Sequence, residues 1–148
     1  MEKETERFIL VMLAKHPVLT LATNREDGWP QATTVGYVHD GLQIYVMTFP
    51  QAQKVRNIER DPRVSLTIDS DEQDWNRIKG LSMAAMAELV TGAEETEHVM
   101  QLMLAKFPQL AEFPEPDAEE VTILRLTPKI ISVLNYEKGF GNTELIEV

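Results

Sequence analysis

Residues 40–61 read DGLQIYVMTFPQAQKVRNIERD, and the rest of the chain is best understood outward from them. Asp40-Gly41 is a tight-turn dipeptide, because glycine reaches the positive φ that a two-residue hairpin demands. Leu42, Ile44 and Val46 then alternate with Gln43, Tyr45 and Met47, the period of a strand with one buried face. The strand ends at Thr48. A helix is expected directly after it, with Thr48 and Gln51 at capping-box spacing and Pro50 tolerated in the first turn. A strand that runs into a helix start presents unpaired backbone N–H groups and a partial positive charge. On that helix Gln53, Lys54 and Asn57 fall on one side, and Val55 and Ile58 on another. Two readings stay open here. Either this corner holds a phosphate, or Lys54, Arg56 and Arg60 are a solvated face beside Glu59 and Asp61.

Toward the amino terminus, Pro30–His39 reads as a strand, with Thr33, Val35, Tyr37 and His39 on one side. Ala32, Thr34, Gly36 and Val38 lie on the other. Gly36 lacks a side chain in mid-strand, which marks either a close approach to the backbone or a barrel bend. Residues 24–28, NREDG, are a turn, and Val18–Thr23 is a further strand. The first three strands form a meander. Residues 3–15 predict a helix whose apolar surface (Phe8 to Leu13) is wider than one sheet face can cover. His16-Pro17 stops it, since the residue before proline avoids the α region.

Toward the carboxyl terminus, Asp61-Pro62 punctuates the chain before a fourth strand in which Val64, Leu66 and Ile68 alternate with polar residues. Residues 69–74 are an acidic loop. They lack the glycine and distal glutamate of an EF-hand-type calcium loop, so no metal is expected there. Leu81–Val90 is expected to be a strand despite the helix-favouring run Met83–Ala87. Residues 94–107 form a second clear helix with acidic residues at its start. Residues 108–120 are a proline-rich loop. Val121–Tyr136 alternates as one long apolar stretch broken at Thr127-Pro128, and residues 137–148 are a short tail. About six β segments with two to three helices among them predict a single domain over 1–148, mainly β with added α. Its expected architecture is an antiparallel Greek-key barrel.

The chain has 148 residues, 43% of them hydrophobic, enough for one sizeable core. Its formal charge of -10 disfavours nucleic acid and anionic membranes as partners, while allowing a local basic site for one small anion. Cysteine is absent, which excludes disulfides, thiolate catalysis and zinc–thiolate sites. No apolar run reaches the ~18 residues of a membrane helix. The first six residues are acidic where a secretory signal would be basic, so a cytoplasmic location is expected. His16, His39 and His98 have no metal-ligand spacing. Trp29, Tyr37, Tyr45, Phe49, Trp75, Tyr136 and Phe140 are candidates for stacking on a planar ligand, or for plain packing. No nucleophile or acid–base motif is present, so catalytic residues are not assigned and any redox chemistry must come from a cofactor.

Several segments taken together carry a resemblance. They are Leu21–Val38 (LATNREDGWPQATTVGYV), Leu42–Thr48 (LQIYVMT), Gln53–Ile58 (QKVRNI) and Asp61–Leu66 (DPRVSL). Leu124–Pro128 (LRLTP) and Ser132–Gly141 (SVLNYEKGFG) add a final strand and a carboxyl-terminal signature. In this order they resemble the pyridoxamine 5′-phosphate oxidase-like, FMN-binding split-barrel family. The resemblance implies a six-stranded split β-barrel, a homodimer, FMN at the dimer interface and an oxidoreductase acting on a small molecule. It places the flavin along the backbone of Thr33, Thr34, Val35 and Gly36, its ring or ribityl chain at Met47 and Thr48, and its phosphate at Gln53 and Lys54. Gln53 and Thr33 stand where the family's oxidases carry arginines, and the oxidase's arginine-bearing carboxyl-terminal motif is missing. These departures point away from oxidation of pyridoxamine phosphate itself. They also keep a second reading in view, a non-enzymatic binding or sensor protein for haem or another planar ligand on the same barrel.

Overall fold

A computed structural model describes residues 1–148. Helix α1 (Lys3–Lys15) leads into strands β1 (Val18–Asn24), β2 (Pro30–Gly36), β3 (Val38–Asp40) and β4 (Gln43–Thr48). Helix α2 (Gln53–Arg60) and strands β5 (Arg63–Asp69) and β6 (Lys79–Leu89) follow. Helix α3 (Ala93–Lys106), the long strand β7 (Thr122–Asn135) and β8 (Thr143–Glu147) complete the chain. Every strand pairing is antiparallel, and the sheet order is β2-β1-β5-β6-β7-β4-β3, with β8 also on β7.

The two ends of that order, β2 and β3, are separated in sequence by Tyr37 alone. The segment expected as one strand over 30–39 therefore bends at Gly36-Tyr37 and passes from one end of the sheet to the other. This curls the sheet into a split barrel. A Cβ on Gly36 would lie 3.8 Å from the Phe107 ring, an ordinary contact, so the bend rather than crowding within the chain accounts for the position. Taking β2 and β3 as one strand, the barrel has the expected six, namely β1, β2–β3, β4, β5, β6 and β7. The tail expected over 137–148 contains an additional strand, β8, which pairs with Ile130–Leu134.

Two further expectations are corrected. The capping box at Thr48 and Gln51 does not form: α2 begins at Gln53, Ala52 caps it without a side-chain bond, and Phe49–Ala52 is a turn closed by Ala52 N–H on the Phe49 carbonyl (3.0 Å). The break expected at Thr127-Pro128 is a β-bulge inside an unbroken strand. Ala84 pairs with Ile130 and Ala85 with Pro128, leaving Lys129 unpaired. The bulge shifts the alternation, so Leu124, Leu126 and Pro128 face inward before it, and Ile131 and Val133 after it. Proline at the bulge removes a donor where ladder pairing is already interrupted.

Inside the barrel, Leu19, Leu21, Tyr37, Ile44, Leu66, Ile68, Leu81, Met83, Leu124, Leu126 and Ile131 form one core. Helix α1 contributes Ile9, Met12 and Leu13 to it. Val11 on the same helix stays exposed, so the wide apolar surface of α1 is only partly covered. Strand β6 forms where propensity favours helix, because alternate residues Leu81, Met83, Ala85 and Ala87 complete the core between β5 and β7. A second, smaller core lies outside the barrel, where Val99 and Met103 of α3 cover Val38, Tyr45 and Ile123.

Candidate functional site

The β1–β2 turn, the end of β4 and the start of α2 meet at one end of the barrel. Asn57 fixes the helix there. It is 2% exposed and donates to Thr23 Oγ1 of β1 (3.0 Å) and Gln31 Oε1 of β2 (3.3 Å), while its own Oδ1 accepts from Gln53 Nε2 (2.8 Å). Val55 and Ile58 bury beside it. Asn57 therefore belongs to the anchoring side of the helix, with Val55 and Ile58, while Lys54 is half-buried and Arg56, Glu59 and Arg60 are exposed. Only a buried polar partner set separates the two arrangements, and helical spacing carries no trace of one.

Gln53 is half-buried and held in place, since its Oε1 also accepts from Arg56 Nη2 (2.7 Å). Arg56 Nη1 donates to the Gln51 carbonyl (2.7 Å). The Arg56 side chain is thus folded back toward the first turn of α2. Neither Lys54 nor Arg56 pairs with a carboxylate; the chain's ion pairs lie elsewhere. Sequence reasoning named Arg56 only within the alternative of a solvated face, and its side chain is exposed. Its spacing of three from Gln53 was the signal that could have placed it here, since i and i+3 share a helix face. Arg25, also near, is neutralised by Asp27 at 2.8 Å; with Glu26 and Gln53 the two line a cavity of about 360 Å3.

Strand β2 pairs only with β1, so its other edge keeps free backbone donors and acceptors, and β2 comes close to β4 across the split. Thr33 and Val35 face the barrel side; Val35 packs on the main core and Met47 on the small core under α3. Thr34 faces outward in a row with Thr20 of β1. For a flat ligand lying along β2, then, Val35, Gly36 and Met47 offer backbone. Thr48, at the end of β4, is half-buried. The structure brings the β2 edge, the end of β4 and the α2 start to one end of the fold. A ring against backbone with an anionic tail at Lys54 and Arg56 is the chemistry this arrangement fits.

The outer sheet face is the other notable surface. Helix α3 covers it over β3, β4 and the first half of β7, and the rest is bare. One row across the bare part is Thr34, Thr20, Thr67, Ser82, Ser132 and Leu145; the next is Ala32, Ala22, Ser65, Ala84, Ile130 and Glu147. Eleven of these twelve positions carry no charge, Glu147 at the β8 edge being the exception, in a chain of net charge -10.

The three histidines lie apart from the α2 corner. His39 Nδ1 contacts the Gly41 carbonyl (2.9 Å), His98 Nε2 contacts Asp40 (2.9 Å), and His16 Nε2 is buried without a partner at the end of α1. In the acidic loop Asp74 caps a short 3-10 turn through Asn76 N–H (3.0 Å).

The chain is a split β-barrel with a polar helix-start corner and a free strand edge, and comparison with known proteins gives the family. The family model described as pyridoxamine 5′-phosphate oxidase matches residues 1–135, and the chain belongs to that family. General stress protein 26 of Bacillus subtilis (strain 168) is 25% identical over 134 residues, covering 90% of this chain and 91% of its own length. Among solved structures, a haem-binding protein of Mycobacterium smegmatis superposes with a TM-score of 0.81 at 22% identity, over 99% of this chain and 59% of that one. The haem storage protein HutZ of Vibrio cholerae superposes with a TM-score of 0.69 at 24% identity, over 86% and 91%. At these identities the structural matches speak for the fold. No helix of the chain is long and apolar enough to cross a membrane.

Proposed function

We propose that this protein is a cytoplasmic homodimeric flavoprotein that binds FMN and acts as an oxidoreductase on a small molecule. The observation that carries the reading is the pair Lys54 and Arg56, two cations without carboxylate partners at the start of α2, beside the unpaired edge of β2. Arg56 supplies the positive charge that Gln53 does not, and Gln53 orients it. Thr48 and the first-turn N–H groups of α2 are the remaining donors for a phosphate. Bound FMN would supply reversible hydride chemistry at its ring; the chain's own residues bind, orient and exclude water. The outer face, uncharged except for Glu147 at its β8 edge, supports the dimer, because small side chains without charge let two sheets pack closely and lose little hydration.

The test is titration of the purified protein with FMN, following the flavin band near ~450 nm and quenching of its fluorescence. Saturable binding is expected, and Lys54→Ala and Arg56→Ala should each weaken it by about 1.5–3 kcal/mol, the worth of a hydrogen bond to a charged group. Failure to bind FMN at all would overturn the reading. The second reading is haem binding, which the two haem proteins of the same fold favour. A Soret band on haem addition, with no flavin uptake, would select it.

A further inference from the structure

A cavity of about 520 Å3 opens between α3 and residues 115–118, the segment that leads into β7. None of its lining residues belongs to the α2 corner. Its floor is apolar. Met100 of α3 and Val121 are half-buried there, packed on the small core to which the buried Ile123 belongs. Its rim carries three carboxylates: Glu97, one turn before Met100 on α3, and Glu115 and Asp117 on the opposing segment. None of the three has an ion-pair partner, and no lysine, arginine or histidine lines the cavity. Glu97 accepts only from the Gln101 amide, at 3.2 Å. Glu95, two residues earlier on the same helix, is by contrast neutralised by Arg125 at 2.7 Å.

We infer that this cavity binds a small organic cation, an amine or guanidine carried on an apolar body. No three carboxylates or histidines of the chain converge closely enough to hold one metal ion, so a bare inorganic cation does not match the rim. A neutral apolar molecule covers the floor and gains nothing from the rim. An anion is repelled by the rim and by the chain's net charge of -10. An organic cation uses both parts of the site. Its ammonium or guanidinium donates charge-assisted hydrogen bonds to the carboxylates, and its body takes Met100, Val121 and Ile123 out of water. The apolar floor lowers the local dielectric, which strengthens the attraction over that of a fully exposed pair. The volume lies within the range of about 300–1,000 Å3 usual for small-molecule clefts.

Titration of the isotope-labelled full chain with phenethylamine, followed through its amide NMR spectrum, tests the site. Saturable shifts are expected at residues 93–100 and 115–123, with those of α2 unmoved. Phenethylamine should bind about ten-fold more tightly than its uncharged isostere phenethyl alcohol, the worth of a charge-assisted hydrogen bond. Phenylpropanoate should not bind, and the preference for the amine should shrink as salt is added. Glu97→Gln and Asp117→Asn are isosteric changes at exposed positions, where the fold tolerates them. Each should lower affinity for the amine about three-fold and leave that for the alcohol as it was. Met100→Gln should weaken both ligands. Equal affinity for amine and alcohol, shifts that scatter over the acidic surface without saturating, or undiminished amine binding by the Glu97→Gln, Asp117→Asn double variant would overturn the inference. The readout lies on α3 and the start of β7, so its outcome is independent of whether FMN binds at α2.

Discussion

Glu95, in the first turn of α3, receives three hydrogen bonds: Arg125 Nε (2.9 Å) and Nη2 (2.7 Å), and the Tyr45 hydroxyl (2.8 Å). Arg125 also reaches Glu88 at 3.2 Å. The cluster bolts α3 to β4, β6 and β7. Hydrogen bonding from Arg125 and then from Tyr45 holds the Glu95 carboxyl at about 2, and burial with the neighbouring Glu95 pushes Tyr45 up to about 12. Because the folded value lies below the ordinary 4.5, this stabilisation is complete above pH 4.5. It fades as pH falls from there toward 2. Glu95→Gln should cost about 1–2 kcal/mol by urea unfolding at pH 7, since the pair is partly open to water. That difference from wild type should shrink as pH approaches 2; a pH-independent difference would remove Glu95 from the acid response. Tyr37→Phe, which takes one of two donors from the Leu13 carbonyl inside the core, should cost about 1 kcal/mol in the same assay. At this scale the strand–turn–helix corner at Lys54 was legible in sequence as local structure, while helix spacing left open whether it is a phosphate site or a solvated face, and the family resemblance alone implied the phosphate. The Arg125–Glu95 pair was not, because its partners lie thirty positions apart in the chain.

Helix α2 is only eight residues long and has no side-chain cap, so its position depends on tertiary contacts. Asn57 is the main polar one. Asn57→Ala should destabilise the protein by about 1–3 kcal/mol, because it leaves Thr23 and Gln53 partners unmet. It should also weaken FMN binding although Asn57 faces away from the ligand corner. Strand β7 offers a sharper test. Lys129→Ala should change stability by no more than about 0.5 kcal/mol, as at any exposed site. Deletion of Lys129 should also leave the barrel folded, because it takes out only the extra residue: Ile130 stays opposite Ala84, and Ile131 and Val133 stay inward. If urea unfolding showed the deletion to unfold the barrel while the substitution did not, the bulge itself would be required, beyond the pairing on either side of it. Thr127-Pro128 marked this point in the sequence. Proline excludes regular pairing on a central strand, and it leaves undecided whether the chain breaks or bulges there.

For the whole molecule, the largest unexplained feature is the bare outer face of β2, β1, β5, β6, β8 and the second half of β7. An exposed antiparallel sheet face ordinarily carries charged and long polar side chains. Here two registered rows carry threonine, serine and alanine across β2, β1, β5 and β6, and end on β8 at Leu145 and at Glu147, which lies opposite Ile130. In a twofold dimer the same patch meets itself, so a charge placed centrally is buried opposite its own copy. Ser82→Lys should therefore convert dimer to monomer in sedimentation velocity while leaving the folded barrel intact. A wild-type protein that sediments as a monomer at micromolar concentration would sink the dimer proposal.

Local chemistry was enough to fix the elements: the Asp40-Gly41 turn, realised with Gly41 at φ 58°, the alternating strands, and helices bounded by proline and glycine. Such signals lie within a few residues of one another, and backbone sterics read them without help. Which strand closes the barrel, that β7 bulges rather than breaks, that the tail adds a strand, and that Arg56 rather than Gln53 brings charge to the helix start were decided by the tertiary structure. Each of these depends on partners distant in the chain, and their energies exist only once the sheet has curled and the core has formed.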